Sequence, residues 1–262
     1  MSPPRESLSQ TFAMAIGVAL ACSLLVSAAV QYFRPMQLAY VALERNRVIV
    51  QSGGLLSANE IASDREVASA FRNLEARLVD LRTGEFSAAA DPMVYNQREA
   101  ALDETSSSPI PEEFDLAKLG RRAHFAPVYI RRENDGIVRV VLPIYGQGMW
   151  SVISGYLSLG PDLNTIEALH IFEHEETPGI GDRIEDPQWL EKWSGKRVFD
   201  QGGVPRVRVA GGVVDPTSPE ALHAVDAITG ATVTADAVSR MVRFWMGREG
   251  FGPFLDKLRE QQ

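Results

Sequence analysis

The sequence predicts an α+β fold, with a mixed or antiparallel sheet, behind one N-terminal transmembrane helix. Three observations lead to this prediction. An uncharged apolar run opens the chain, strand-like and helix-like segments then follow without regular βαβ alternation, and a short turn joins two β-branched runs. The chain has 262 residues, 45% hydrophobic and 23% charged, which gives room for one large domain or two small ones.

The apolar run, residues 12–33, reads FAMAIGVALACSLLVSAAVQYF and has no charged residue. As a helix it would be about 33 Å long at ~1.5 Å per residue, enough to cross a bilayer core of roughly 30 Å. A cleaved signal peptide is the competing interpretation, but its apolar region is typically only about 7–15 residues long. We therefore expect a membrane anchor. Arg34, Arg45 and Arg47 follow the run, yet charge leaves the side of the large domain undecided, because long domains translocate largely regardless of it.

Helices and strands are expected in a mixed order beyond the anchor. A helix over residues 36–50 ends at Ser52-Gly53-Gly54. Asn59 or Ser63 can cap the next helix, whose apolar residues recur at helical spacing: Val67, Phe71, Leu74 and Leu78. Strand patterns cover residues 78–81, 126–131, 137–144, 150–159, 166–172 and 206–214, and a short helix covers 187–193. The turn Asn134-Asp135-Gly136 predicts a hairpin.

Composition excludes two classes of function. The net charge of −8 argues against a nucleic-acid partner, which would require a basic face. The single cysteine, Cys22, cannot form an internal disulfide or hold an iron–sulfur cluster by itself. Any redox chemistry must therefore come from a group other than a thiol.

The segment DAITGATVTADAVSRMVRFWM, residues 226–246, is the strongest candidate site. Gly230 permits a turn, and Thr232 or Thr234 can cap the helix that follows. The helix has an apolar face at Val238, Met241, Val242 and Trp245. A turn and a cap explain these residues structurally. A helix N-terminus also suits a phosphate, which a threonine there can hold by hydrogen bonds or by an ester.

Other candidates have ordinary structural explanations. Gly146-Gln147-Gly148 lacks the Lys–Ser/Thr end of a phosphate loop, so we expect a bend between strands. His170 and His174 do not form the His-Glu-x-x-His pattern of a zinc protease, and a turn after a charged strand end accounts for most of that segment. The glycine pairs at 202–203 and 211–212 are typical of turns.

Several stretches of the chain are similar to the motifs of one known protein family. Residues 226–232, DAITGAT, are similar to the Asp-x-x-Ser/Thr-Gly-Ala-Ser/Thr motif recognised by flavin transferases. Residues 146–151, GQGMWS, resemble the family's Gly-x-Gly-Leu-Trp-Ser stretch. Residues 173–181, EHEETPGIG, resemble its Glu-Thr-Pro-Gly-Leu-Gly loop. Residues 186–189 and 193–196 follow in matching order, so the resemblance covers nearly the whole chain. The chain thus resembles the NqrC family, the flavin-carrying subunits of the sodium-translocating NADH:quinone reductases.

The resemblance implies an FMN-binding domain in which FMN is attached covalently, through its phosphate, to the Thr232 hydroxyl. It makes Thr229, Gly230, Ala231 and Asp226 the remaining motif residues. It also suggests contacts of the flavin with Trp150, Thr177 and Gly179. Departures from the family pattern are mild: Met149 replaces leucine, Tyr145 replaces a basic residue, and Thr229 stands where serine is common.

The resemblance further implies membership of a sodium-pumping NADH:ubiquinone reductase complex in the bacterial inner membrane. The expected organisation is a short cytoplasmic segment (1–11), a transmembrane helix (12–33), and a periplasmic part divided into 34–112 and an FMN-binding domain, 113–262. Partners would be other flavin- and iron–sulfur-carrying subunits and the flavin transferase.

One alternative is the flavinylated subunit of an Rnf-type ferredoxin:NAD complex, which shares the flavinylation motif and the anchor. The other is a cofactor-free, membrane-anchored binding or scaffold protein.

Overall fold

A computed structural model describes residues 8–57 and 61–262, so the predicted cap Asn59 lies outside the described residues. The described residues form two compact units, one ending at Arg45 and the other running from Asn46 to Gln262. In chain order the elements are α1 (Leu8–Ser52), α2 (Asp64–Phe71), β1 (Leu74–Asp80), β2 (Glu85–Ser87), α3 (Gln97–Leu102), β3 (Ser107–Pro109), β4 (Arg121–Ala123), β5 (Phe125–Glu133), β6 (Gly136–Gln147), β7 (Val152–Leu159), β8 (Ile166–Glu173), α4 (Pro187–Glu191), β9 (Arg208–Val209), β10 (Ala224–Val225), α5 (Thr232–Met246) and α6 (Gly252–Glu260). Two 3₁₀ helices cover Gly181–Glu185 and Pro219–His223.

Helix α1 contains the predicted anchor and continues beyond it. The helix expected over residues 36–50 is not separate, because α1 runs through Pro35 without a break and ends, as predicted, at Ser52. Gly54 follows with φ +67°, a left-handed conformation that stops the helix. Among the described residues, α1 is the one helix long and apolar enough to cross a membrane, and its most apolar stretch is unburied.

The predicted start of α2 is confirmed, but its predicted length is wrong. The Ser63 side chain accepts from the Glu66 N–H, and the Glu66 side chain accepts from the Ser63 N–H, which together form a capping box. Leu74 lies in β1 instead of α2, and Leu78 lies in β1 as the strand pattern over residues 78–81 predicted, although the helical spacing also included it. A spacing of four residues places side chains on one face of a helix and also on one face of a strand, so this pattern could not separate the two.

The main sheet has six antiparallel strands in the order β2-β1-β5-β6-β7-β8. The predicted hairpin joins β5 to β6 through Asn134 and Asp135, both at positive φ. A second, small sheet pairs β9 with β10 in parallel, so the strand expected over residues 206–214 is only two residues long. The polar segment 103–113 contains β3, which pairs with β4. The division of the soluble part at residue 112 stays a prediction.

Both faces of the main sheet are covered. Alternate residues of β6 point to opposite sides, so Leu142 packs with α5 and α6 in the larger core, whereas Val141 packs with the end of α1 near Ile49. The predicted apolar face of α5 is confirmed in the larger core. The Trp245 indole N–H donates to the carbonyl of Tyr145 at 2.6 Å, which holds α5 against β6.

Candidate functional site

Helix α5 begins without a side-chain cap. It starts at Thr232, after a turn in which Gly230 has φ +84°, a conformation that favours glycine. Ala231 occupies the cap position, so the expectation that Thr232 or Thr234 caps the helix is wrong. The N–H groups of the first turn have no intrahelical acceptors, and that turn has no acidic side chain. The helix start is therefore open to an anion.

The three threonines of this segment have different surroundings. Thr229 and Thr232 are exposed, and Thr232 is the first residue of α5. Thr234 is buried, and its hydroxyl donates to Glu176 Oε2 at 2.6 Å. A modifying enzyme can therefore reach the hydroxyls of Thr229 and Thr232, whereas that of Thr234 is held inside the protein.

Glu176 joins three segments of the site. Its side chain is only 4% exposed. While Oε2 accepts from Thr234 in α5, Oε1 accepts from the backbone N–H groups of Trp150 at 3.0 Å and Ser151 at 3.3 Å. The carboxylate thus ties the turn between β6 and β7 to the first turn of α5. Glu176 was not selected from the sequence, and Thr234 was considered only as a helix cap, although both lie within segments that the sequence motifs cover.

The turn between β6 and β7 carries Trp150. Gly148 N donates to the carbonyl of Ser151 at 2.8 Å, so the glycine-flanked Gln147 precedes a tight bend, as predicted. The Trp150 side chain is 66% exposed, and its indole N–H donates to Thr177 Oγ1 at 3.0 Å. The structure therefore brings together Trp150 and Thr177, which lie far apart in the sequence.

The loop after β8 folds back on itself at Thr177. The Thr177 carbonyl accepts from the N–H groups of Ile180 and Gly181, and Gly179 has φ +76°. The Gly179 N–H donates to Asp182 Oδ2 at 2.9 Å. Gly230 lies next to this loop, because a side-chain carbon built on it would be 3.8 Å from Ile180 Cγ2. The Thr177–Gly179 loop and the turn before Thr232 are thus neighbours.

Asp226 has hydrogen-bond partners outside these loops. Its carboxylate accepts from Lys192 Nζ and from the Val214 N–H, each at 2.7 Å. The Lys192 hydrogen bond, followed by that of Val214, lowers the pKa of Asp226 below its usual range. The Asp226 carbonyl accepts from the Trp189 indole at 2.9 Å. Asp226 therefore anchors the start of the motif to α4.

The two histidines considered as metal ligands have separate partners. His170 Nδ1 is 2.9 Å from Ser52 Oγ, and burial lowers the pKa of its ring. His174 Nδ1 accepts from the Glu176 N–H at 3.2 Å, and its Nε2 lies 3.3 Å from Glu185. Within residues 8–57 and 61–262, no group of three or more potential ligand side chains is arranged to hold a metal ion.

The residues around Thr232 fit a flavin phosphate. An exposed hydroxyl stands at an uncapped helix start, where unpaired N–H groups and the helix dipole favour an anionic group. Large apolar side chains are exposed on the adjoining segments: Met149, Trp150, Ile180 and Val233. An aromatic ring system bound there would cover apolar surface that now faces water.

Comparisons with known proteins identify the family of the chain. Residues 148–247, which contain every predicted site residue, match the model of the FMN-binding domain family. The NqrC protein of the Na(+)-translocating NADH-quinone reductase of Pseudomonas aeruginosa is 36% identical over 257 residues, covering 98% of each chain. The chain belongs to this NqrC family. The Yersinia pestis relative is also 36% identical, over 97% of this chain and 94% of its own.

Solved structures of the NqrC family share the fold. The crystal structure of Shewanella oneidensis NqrC gives a TM-score of 0.77 at 35% identity and covers 85% of this chain and 99% of its own. The relative from Parabacteroides distasonis gives 0.64 at 25% identity, covering 85% and 96%. The predicted family and the predicted α+β fold with an antiparallel sheet are confirmed.

Proposed function

We propose that this chain carries FMN esterified through its phosphate to Thr232 Oγ1, and that it relays electrons as a membrane-anchored subunit of a Na⁺-translocating NADH-quinone reductase. The observation that carries the proposal is the exposed Thr232 hydroxyl at the uncapped start of α5. It occupies the last position of the flavinylation motif. The alternative hydroxyl of Thr234 is buried against Glu176.

Each nearby residue has a defined part in this proposal. Thr232 supplies the oxygen of the ester, and the N–H groups of the first turn of α5 donate to the phosphate oxygens. A negative group beside a helix N-terminus gains roughly 0.3–1 kcal/mol at an exposed site. Gly230 gives the turn its left-handed conformation. Trp150 and Thr177, already joined by a hydrogen bond, offer an aromatic surface and a hydroxyl to the ring system.

The attachment needs an activated phosphate, since a phosphate monoester does not esterify an alcohol unaided. A dinucleotide in which FMN is joined to a second nucleotide by a phosphoanhydride supplies one. Thr232 Oγ1 forms the new P–O bond, the P–O bond to the second nucleotide breaks, and the hydroxyl proton passes to a base of the flavin transferase. No base is required of this chain.

The bound FMN would supply the electron-transfer chemistry, and the chain would hold and orient it. In this proposal α1 anchors the chain in the bacterial inner membrane, and the large unit faces the periplasm beside flavin- and iron–sulfur-carrying subunits. Matches to NqrC relatives over nearly the whole chain favour this assembly over the Rnf-type complex and over a cofactor-free scaffold. Protease added to intact spheroplasts should digest the large unit, and resistance until lysis would place it in the cytoplasm.

Co-expression with a flavin transferase tests the attachment. The denatured wild-type band should fluoresce under ultraviolet light, and a tryptic peptide containing Thr232 should gain the mass of one FMN less one water. Thr232→Ala should abolish both signals, and Thr232→Ser should restore them because it keeps the hydroxyl. Thr229→Ala is the matched control, since it removes the neighbouring exposed hydroxyl and should leave the signals unchanged. A dark wild-type band would contradict the proposal.

A further inference from the structure

Glu176 is a buried charge placed between the segments that the proposed function assigns to the flavin. Its carboxylate accepts hydrogen bonds from three donors: the backbone N–H groups of Trp150 and Ser151, and the Thr234 hydroxyl. All three donate toward the carboxyl group, which is the pattern that suits an ionised carboxylate accepting at both oxygens. Hydrogen bonds to a buried charge are stronger than those between neutral groups, so this is a firm connection.

Two glycines are required by the position of Glu176. A side-chain carbon built on Gly148 would lie 2.5 Å from Glu176 Oε1 and 2.9 Å from Ile153 Cδ1. One built on Gly181 would lie 2.9 Å from Glu176 Cβ. Neither Gly148 nor Gly181 has a positive φ, so glycine is needed at these positions for steric reasons and not for its backbone conformation. The glycines of both loops therefore make room for one carboxylate.

We propose that Glu176 is a positioning residue for the flavin. Its carboxylate holds the Trp150 turn and the Thr177 loop against the start of α5. The inference rests on the proposed attachment of FMN at Thr232. Glu176 sits one residue before Thr177 and bonds the backbone of Trp150, whose indole bonds Thr177. Through Thr234 it also fixes the first turn of α5 two residues beyond Thr232.

The same carboxylate acts on the flavin through its charge. Glu176 is shielded from water, so its field at a neighbouring ring is screened far less than the field of an exposed carboxylate. A negative charge disfavours the addition of electrons, and it therefore lowers the midpoint potential of a flavin bound beside it. Glu175 offers a matched control, because it is the adjacent carboxylate and its side chain is exposed.

Hydrogen exchange of the full-length chain, made without a flavin transferase, tests the connection alone. In Glu176→Ala, the N–H groups of Trp150 and Ser151 should exchange on the order of tenfold faster or more than in wild type, because both lose their acceptor. Glu175→Ala should exchange as wild type. Glu176→Asp, which keeps the charge but is one methylene shorter, should also exchange faster and is the variant of choice if Glu176→Ala does not fold. Wild-type exchange in a folded Glu176→Ala or Glu176→Asp would overturn the proposal.

The midpoint potential of the flavinylated chain supplies a readout that a purely structural role would not move. Glu176→Gln keeps the shape and removes the charge, so its potential should shift in the positive direction. Glu175→Gln removes the same charge from an exposed position and should shift the potential less. Equal shifts, or a negative shift in Glu176→Gln, would overturn the proposal. A wild type without FMN would contradict the attachment at Thr232, and the exchange experiment would still decide whether Glu176 holds the turn.

Discussion

Replacing Thr234 by valine should destabilise the protein more than replacing it by serine. Valine keeps the volume of threonine but removes the hydroxyl that donates to Glu176 at 2.6 Å. A hydrogen bond to a charged group contributes about 1.5–3 kcal/mol, and the carboxylate would stay buried with one donor fewer. Serine keeps the hydroxyl and loses one methyl group, which costs about 1 kcal/mol at a buried position. The free energy of unfolding should therefore fall by about 1.5–3 kcal/mol for Thr234→Val and by about 1 kcal/mol for Thr234→Ser.

Urea unfolding of the full-length chain in detergent measures this difference. Three of the four tryptophans, Trp189, Trp193 and Trp245, are buried, so intrinsic fluorescence reports on loss of the core. A double-mutant cycle with Glu176→Ala adds a second requirement: the two substitutions should be non-additive by roughly 0.5–3 kcal/mol, because they remove the same hydrogen bond. A loss of stability as large for Thr234→Ser as for Thr234→Val, or single effects that simply add, would show that this hydrogen bond does not stabilise the protein.

Two further predictions concern a glycine and a histidine outside the site. Gly84→Ala should lower the free energy of unfolding by about 1–3 kcal/mol more than Gly120→Ala, as measured by urea unfolding. Both glycines have positive φ, but only at Gly84 would the new carbon meet backbone, 2.5 Å from the carbonyl of Pro253; equal costs would contradict the steric argument. Burial, and then the charge of Arg139, lowers the pKa of His170. The neutral, buried His170 ring should thus contribute its full share to stability above about pH 6.5. That contribution should be lost as pH falls toward the folded-state pKa, because the unfolded chain binds a proton at His170 at higher pH than the folded chain does. His170→Gln should remove that part of the pH dependence of the unfolding midpoint, and an unchanged pH profile would show that another group causes it.

Local patterns predicted the elements whose signals do not depend on distant residues. The Asn134-Asp135 turn was predictable because few residues accept left-handed conformations. The cap at Ser63 was predictable because a serine followed three residues later by a glutamate, here Glu66, is a helix-capping signal. The apolar face of α5 follows from its 3.6-residue period. Leu74 was assigned wrongly to a helix, and Leu78 to a helix as well as to a strand, because a four-residue spacing fits both periods. Their place in β1 is decided by pairing with β5, which is some fifty residues away in the sequence.

The candidate site divides in the same way. Consecutive residues are enough to predict the flavinylation motif, the two loops that resemble the family pattern and the turn before Thr232. Only the tertiary structure decided which threonine is reachable, because the burial of Thr234 depends on a carboxylate 58 positions earlier in the chain. It also decided that Asp226 bonds Lys192 and that Glu176 joins three segments. Side-chain partners of this kind are set by the packing of the sheet against α5, and no local pattern records them.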